Sequence, residues 1–223
     1  CSTYSLSESE AESRGVEVLT EIPAGIDPER IAPPEWRYNP GKEAFAPDFS
    51  KYAYLKKAVA ADGKSMLSQV KEAYTASMRE TRLTEAEWKV WSDRVLEEEY
   101  KLQKIPVLGG TAPAETNGEI DPKLMLTDKA IRHGQREGKH KMLPREEIGE
   151  VYAAINNPDA IYQEKGYENE YSFVRAYDET YVTKAFFRRA TPTTSLGLVS
   201  YELVERQGYE TGEGKKYRVV YKR

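Results

Sequence analysis

Cysteine and histidine are almost absent from this sequence, and so are long apolar runs. Its 223 residues include one cysteine, Cys1, and two histidines. A single cysteine excludes internal disulfide bonds and any metal site built from several thiolates. No apolar run approaches the roughly 20 residues that a membrane-spanning helix needs, and the first residues lack the layout of a secretory signal. We therefore expect a soluble protein with no membrane partner.

Several motifs that bind cofactors are also missing. There is no phosphate-binding loop, no dinucleotide glycine pattern and no HExxH pair, so the sequence predicts neither a cofactor nor a metal site. The chain begins with cysteine instead of methionine, and we expect a processed product or a fragment of a longer protein. The net charge of −4 is too small to indicate a partner.

Basic residues are concentrated in one short stretch, residues 131–145, where Glu137 is the only acid. Its basic side chains and both histidines are Arg132, His133, Arg136, Lys139, His140, Lys141 and Arg145. A local cluster of this kind predicts a phosphate-binding surface more directly than the charge of the whole chain does.

The first half of the chain contains two kinds of segment. Residues 1–50 are rich in proline and poor in periodicity, which predicts an extended wrapping segment held by the aromatic side chains of Trp36, Tyr38, Phe45 and Phe49. Residues 51–105 are predicted to be helical, with apolar residues at Met66, Val70, Tyr74 and Met78. Thr84 and Glu87 match the capping box that begins a second helix. This helix is predicted to run to about residue 100, with Trp88, Trp91 and Val95 on its apolar face.

The second half predicts a different architecture. Residues 109–118 have the small and turn-forming composition of a linker, so a domain boundary is expected near residue 106. Two helices, at residues 127–134 and 145–155, precede five segments rich in β-branched and aromatic residues. These predicted strands cover residues 160–163, 171–177, 180–189, 196–204 and 216–221. The connection at residues 178–179 is short, which predicts a hairpin of the second and third strands. The fold class is therefore α+β, with a helix-rich N-terminal half and a domain, residues 106–223, of two helices packed on an antiparallel β-meander.

Two stretches of the first half resemble a phage protein family. Residues 1–15 (CSTYSLSESEAESRG) and 35–41 (EWRYNPG), followed by Ser50-Lys51-Tyr52, resemble the C-terminal extension of Mu F-like phage minor head (head-morphogenesis) proteins. That resemblance implies capsid or portal proteins as partners and places the chain in the virion, with delivery to the bacterial host cytoplasm.

The last hundred residues resemble a second group, the phage-associated nuclease-like domains related to barnase, EndoU, colicin-type and RelE toxins. The resemblance is carried by a helix that ends in His133 and is followed by His140, by Asn157-Pro158-Asp159, and by the strand end FFRR at residues 186–189. It implies a toxin or effector that acts on RNA, together with an immunity protein. No diagnostic catalytic signature accompanies these motifs.

Metal-independent cleavage of RNA needs a base, an acid and cations that stabilise the charged transition state. His133 and His140 are the candidates for acid and base, and Arg188 completes the predicted catalytic set. Side chains two apart on a strand share a face, so Lys184, Phe186 and Arg188 should align, with Arg189 pointing the other way. The predicted substrate-binding residues are Arg132, Lys139, Arg175, Lys184, Arg189 and Thr194.

Other readings of the same residues remain open. The two histidines and the strand cations are equally compatible with a solvated surface, so the whole chain could be a non-catalytic docking extension of a minor capsid protein. A third reading is binding of nucleic acid or of a host protein without cleavage. An ADP-ribosyltransferase, for which Arg175, Thr194, Ser195 and Glu202 or Glu205 would be required, fits least well.

Overall fold

The computed structural model describes residues 47, 49–60, 62–136, 141–190 and 195–223, which all belong to one compact unit, Pro40–Arg223. Almost all of the predicted wrapping segment, with Trp36, Tyr38 and Phe45, lies outside the described residues. Phe49 lies within them and is buried. Its ring packs edge-on against Tyr74, with 5.5 Å between ring centroids, so this one predicted anchor does contact the helical region.

Five α-helices are present in the described residues: α1 (Met66–Glu80), α2 (Glu85–Val95), α3 (Asp128–Gly134), α4 (Gly149–Asn156) and α5 (Arg206–Gly212). Three 3₁₀ segments accompany them, at Phe49–Lys56, Ala114–Thr116 and Arg145–Glu147. The predicted capping box begins α2, because the Glu87 carboxylate accepts the Thr84 backbone N–H at 2.8 Å while the Glu87 N–H donates to the Thr84 hydroxyl at 3.3 Å. Helix α2 ends at Val95, earlier than the expected residue 100.

Seven strands of the described part of the chain form one sheet: β1 (Val107–Thr111), β2 (Lys123–Leu126), β3 (Ala160–Glu164), β4 (Glu170–Ala176), β5 (Tyr181–Arg189), β6 (Leu196–Glu205) and β7 (Tyr217–Lys222). Their order across the sheet is β1-β2-β6-β5-β4-β3-β7. The five predicted strands correspond to β3 through β7, and the predicted hairpin at residues 178–179 joins β4 to β5. The α+β class is confirmed.

The predicted linker at residues 109–118 is wrong in its first part, because β1 and β2 form a hairpin that extends the sheet. A Cβ at Gly109 would lie 1.9 Å from a Leu126 methyl carbon, and one at Gly110 would lie 2.4 Å from Ile155. The two glycines that suggest a linker are therefore required by close contacts inside the fold. Strand β2 pairs with β6 in parallel, so the sheet is mixed, and only its larger part is an antiparallel meander.

One core joins the regions that the sequence assigns to separate domains. The buried cluster combines Trp88 and Trp91 of α2 with Leu124 of β2 and Phe173 of β4. The Trp88 indole also donates a hydrogen bond to the Ile148 carbonyl at 3.2 Å. The boundary expected near residue 106 therefore does not separate two cores within the described residues.

The contribution of the Thr84 cap to the stability of α2 can be tested. Replacing Thr84 with alanine leaves first-turn N–H groups of α2 without their side-chain acceptor, so we expect the free energy of unfolding to fall by about 1 kcal/mol. Urea denaturation of the full chain measures the change. Thr84→Ser keeps the hydroxyl and should stay close to wild type; equal losses in both variants would contradict the capping role.

Candidate nucleic-acid interface

The central strand β5 presents different residues to the two faces of the sheet. Ala185 and Phe187 are fully buried in the core beneath the helices, whereas Lys184, Phe186 and Arg188 alternate with them and point to the other side. Arg188 is the most accessible of these three, with 54% of its side chain exposed. The predicted alignment of Lys184, Phe186 and Arg188 is therefore present.

We call this second side the open face and define it by seven side chains on three neighbouring strands. These are Glu170, Ser172, Lys184, Phe186, Arg188, Ser200 and Glu202, which the register of β4, β5 and β6 places in adjacent rows. Phe186 lies between Ser172 and Ser200. The cations of Lys184 and Arg188 lie 5.4 and 5.7 Å from the centre of its ring, within the range of cation–π attraction.

Both cations of the open face are paired with carboxylates on neighbouring strands. The Lys184 ammonium lies 2.7 Å from Glu202, whose side chain is only 8% exposed, and the Arg188 guanidinium lies 2.7 Å from Glu170. In the Arg188 pair the guanidinium is accessible to solvent, whereas the Glu170 side chain is only 22% exposed. The buried Glu202 is held in place by its partner.

Arg175 and Arg189 do not join the open face. Arg175 lies opposite Thr183 in the register and Arg189 lies opposite Leu196, both on the side that the helices cover. The Arg175 guanidinium donates to the Asn157 carbonyl at 2.8 Å. The expected grouping of Arg175 with Lys184 and Arg188 is therefore wrong, and Arg189 points away from Arg188 as predicted.

For the ADP-ribosyltransferase hypothesis, the register excludes one of the two candidate carboxylates. Glu202 lies on the face of the sheet opposite to Arg175 and cannot share a site with it. Glu205, opposite Tyr181, lies on the same face as Arg175, and Thr194 lies outside the described residues.

His133 also lies on the helix-covered side. It is exposed on the last turn of α3, which is held against β6 by the Tyr201 hydroxyl, a donor to the Ile131 carbonyl at 3.1 Å. Gly134 permits this approach, because a Cβ there would lie 2.4 Å from the Tyr201 ring. Tyr201 pairs with Ala185, on the face opposite to Lys184 and Arg188. His133 is therefore not assembled with those two cations into a site.

The Arg132 side chain forms hydrogen bonds that hold the chain at the end of α2. Its guanidinium donates to the Val95 carbonyl at 2.8 Å, to the Glu97 carbonyl at 2.6 Å and to the Tyr100 carbonyl at 2.5 Å. These acceptors lie at and after the end of α2, where carbonyl groups lack helical partners. The predicted role of Arg132 in binding a substrate has no support in this geometry.

Three of the predicted site residues, Lys139, His140 and Thr194, lie outside the described residues. Two carboxylates that the sequence reasoning did not assign to the site, Glu170 and Glu202, belong to the open face. From the sequence alone, Glu202 is named only as a residue that an ADP-ribosyltransferase would require. The periodicity of β6 places it beside Ser200, but its pairing with Lys184 depends on strand register, which a single sequence does not reveal.

Comparisons with models of known families, with curated proteins and with solved structures find no match. Within the part of the chain that the structure describes, no helix is long and apolar enough to cross a membrane. The same residues contain no group of three or more His, Cys, Asp or Glu side chains placed to hold a metal ion. Inference about function therefore depends on the chemistry of the open face.

The role of Arg132 can be tested directly. Arg132→Ala leaves three carbonyl groups at the end of α2 without their charged donor, and we expect the free energy of unfolding to fall by about 3 kcal/mol. Arg136→Ala removes an exposed guanidinium from the same stretch and should change it by less than about 0.5 kcal/mol. Chemical denaturation measures both variants, and an Arg132→Ala protein as stable as Arg136→Ala would contradict the structural role.

Because the Tyr201 hydroxyl is buried, we expect the free energy of unfolding to fall at alkaline pH. Burial raises the pKa of its hydroxyl to about 12, above the value of about 10 in an unfolded chain. Because the folded state favours the neutral phenol, this stabilisation is complete below pH 10 and is lost as the pH rises from about 10 towards 12. Denaturation at several pH values measures it. In Tyr201→Phe the free energy of unfolding should fall less steeply over this pH range. A fall as steep as that of the wild-type chain would show that Tyr201 is not its cause.

Proposed function

We propose that the chain is a phage head-associated protein whose α+β part is nuclease-like and binds single-stranded RNA on the open face. The row of Lys184, Phe186 and Arg188 carries this proposal, since single-stranded nucleic acids are bound by cations that contact phosphates and by aromatic rings that contact bases. Phe186 lies between its two cations. The phage context rests on the resemblance of residues 1–15 and 35–41 to Mu F-like minor head proteins.

The open face also contains groups that suit metal-independent cleavage of RNA. Glu202 is a carboxylate that can accept the proton of a 2′-hydroxyl, which makes it a candidate general base. As the 2′-oxygen bonds to phosphorus and the bond to the 5′-oxygen breaks, the protonated carboxyl can return that proton to the leaving 5′-oxygen. The Lys184 ammonium beside it and the Arg188 guanidinium can stabilise the negative charge that develops on the phosphate. In this proposal a carboxylate takes the role that the sequence suggested for a histidine.

A non-catalytic docking extension is the second candidate, and the positions of the arginines favour it. The guanidinium groups of Arg132 and Arg175 donate to backbone carbonyls, and His133 is separated from Lys184 and Arg188 by the sheet. If the chain is such a docking extension, the described residues form a folded surface without catalytic activity, and the partners are capsid or portal proteins.

Binding and cleavage of a labelled single-stranded RNA oligonucleotide by the 223-residue chain separate the two candidates. Fluorescence anisotropy measures binding, and a denaturing gel with and without EDTA measures cleavage and its metal dependence. We expect Arg188→Ala to weaken binding about ten-fold and to reduce the salt slope by about 0.7, the value for one phosphate contact on a single strand. Glu202→Gln should retain binding and lose cleavage.

Two substitutions on the helix-covered side are the controls. Lys129→Ala removes one exposed positive charge from α3, and His133→Ala removes the exposed imidazole; neither should change binding or cleavage. If the wild-type chain does not bind RNA, the RNA-binding proposal is wrong and the non-catalytic docking extension is the candidate that remains. Loss of cleavage in His133→Ala, with activity retained in Glu202→Gln, would restore the histidine-based site and contradict the role of Glu202.

A further inference from the structure

A pocket of about 220 Å³ lies at one end of the open-face side of the sheet, where α5 packs against β3, β4 and β5. Ala160, Val174 and Val182 form its apolar floor, and Tyr162 and Tyr209 also line it. The rings of these two tyrosines are stacked on each other, with 4.8 Å between their centroids, so they form a single aromatic surface at one side of the pocket. The interior of the pocket is therefore apolar and aromatic.

The polar groups at the rim are largely paired with one another. The Tyr162 hydroxyl donates to Glu213 at 2.6 Å, and the Lys222 ammonium donates to the same carboxylate oxygen at 2.7 Å. Asp159, also at the rim, accepts the backbone N–H of Ala176 at 2.7 Å. The whole lining contains four cations and three acids: Arg175, Arg206, Lys222, Arg223, Asp159, Glu210 and Glu213. Their charges nearly balance, which favours a neutral ring with polar edges over an isolated anion.

The size of the pocket limits the ligand further. Sites for drug-sized molecules usually measure about 300–1,000 Å³, so about 220 Å³ corresponds to one small ring system. A nucleobase has this shape, with two apolar faces and hydrogen-bonding edges, and sequence-specific recognition of RNA commonly inserts unstacked single bases into aromatic pockets.

The pocket is continuous with the cations of the open face. Val174 of its floor lies directly opposite Lys184 in the β4–β5 register, so their Cβ atoms are about 5 Å apart. Tyr209 lines both this pocket and a neighbouring groove that contains Lys184 and Glu202. A base in the pocket therefore has its sugar-phosphate within reach of Lys184.

We propose that this pocket is a base-binding subsite that accepts one splayed nucleobase of single-stranded RNA, with the adjoining phosphate at Lys184. This inference rests on the proposed function and deepens it, because it assigns a position for a base beside the position for a phosphate. It also identifies Tyr209, a residue of a helix that the sequence did not predict, as part of the RNA-binding surface.

The test compares a single-stranded RNA oligonucleotide with an abasic ribose-phosphate oligomer of the same length, which has the phosphates but no bases. The wild-type chain should bind the RNA about a hundred-fold more tightly than the abasic oligomer, because the pocket and Phe186 each contact one base and each such contact contributes about ten-fold. Ala176→Trp places a large side chain at the pocket rim from an exposed position. It should reduce the preference for RNA to about ten-fold, the part that Phe186 contributes, and leave binding of the abasic oligomer unchanged.

Ala86→Trp is the matched control, because Ala86 is an exposed alanine on α2, away from the pocket; it should behave as wild type. A preference for RNA that is the same in Ala176→Trp as in the wild-type chain would overturn the base subsite and leave the proposed function, with its base contact at Phe186, standing. Equal affinity of the wild-type chain for both oligomers, or no binding of the RNA, would overturn the subsite and the proposed function together.

Discussion

Alternation of side chains across one seven-stranded sheet is the constraint on which the rest of this structure depends. Residues such as Phe173, Ala185 and Phe187 have no exposed surface, and their burial requires helices on the same side. Every second residue of the same strands must then face away from those helices. The polar face of β5 is therefore a consequence of the core. Lys184, Phe186 and Arg188 lie on that face and do not belong to the core cluster.

The same constraint explains why basic residues that are close in sequence have different roles. Arg188 and Arg189 are neighbours in the chain, yet one lies beside Glu170 on the open face and the other lies opposite Leu196 on the covered face. Arg132 precedes His133 on α3, but the guanidinium turns inward to the carbonyls that follow α2, whereas the imidazole is exposed. A cluster of positive charge in the sequence is thus divided between structural and surface positions.

Local pattern was sufficient to predict β3 through β7, the hairpin between β4 and β5, and the capped start of α2, because each depends on neighbouring residues. It failed for β1 and β2. Gly109 and Gly110 resemble a linker by composition, and only the contacts with Leu126 and Ile155 reveal why these positions exclude a side chain. Helix α5 was also missed, since its seven residues are too few for a periodic apolar pattern.

The candidate site was less predictable than the fold because it depends on register. Sequence spacing correctly aligned Lys184 with Arg188, a relation within one strand. It could not place Glu202 beside Lys184, because that contact arises only when β5 and β6 pair with Lys184 opposite Glu202. A slip of one residue would turn Glu202 to the core, where an unpaired charge is strongly unfavourable. The Lys184–Glu202 pair therefore favours the observed register, in addition to the role that we propose for it in RNA cleavage.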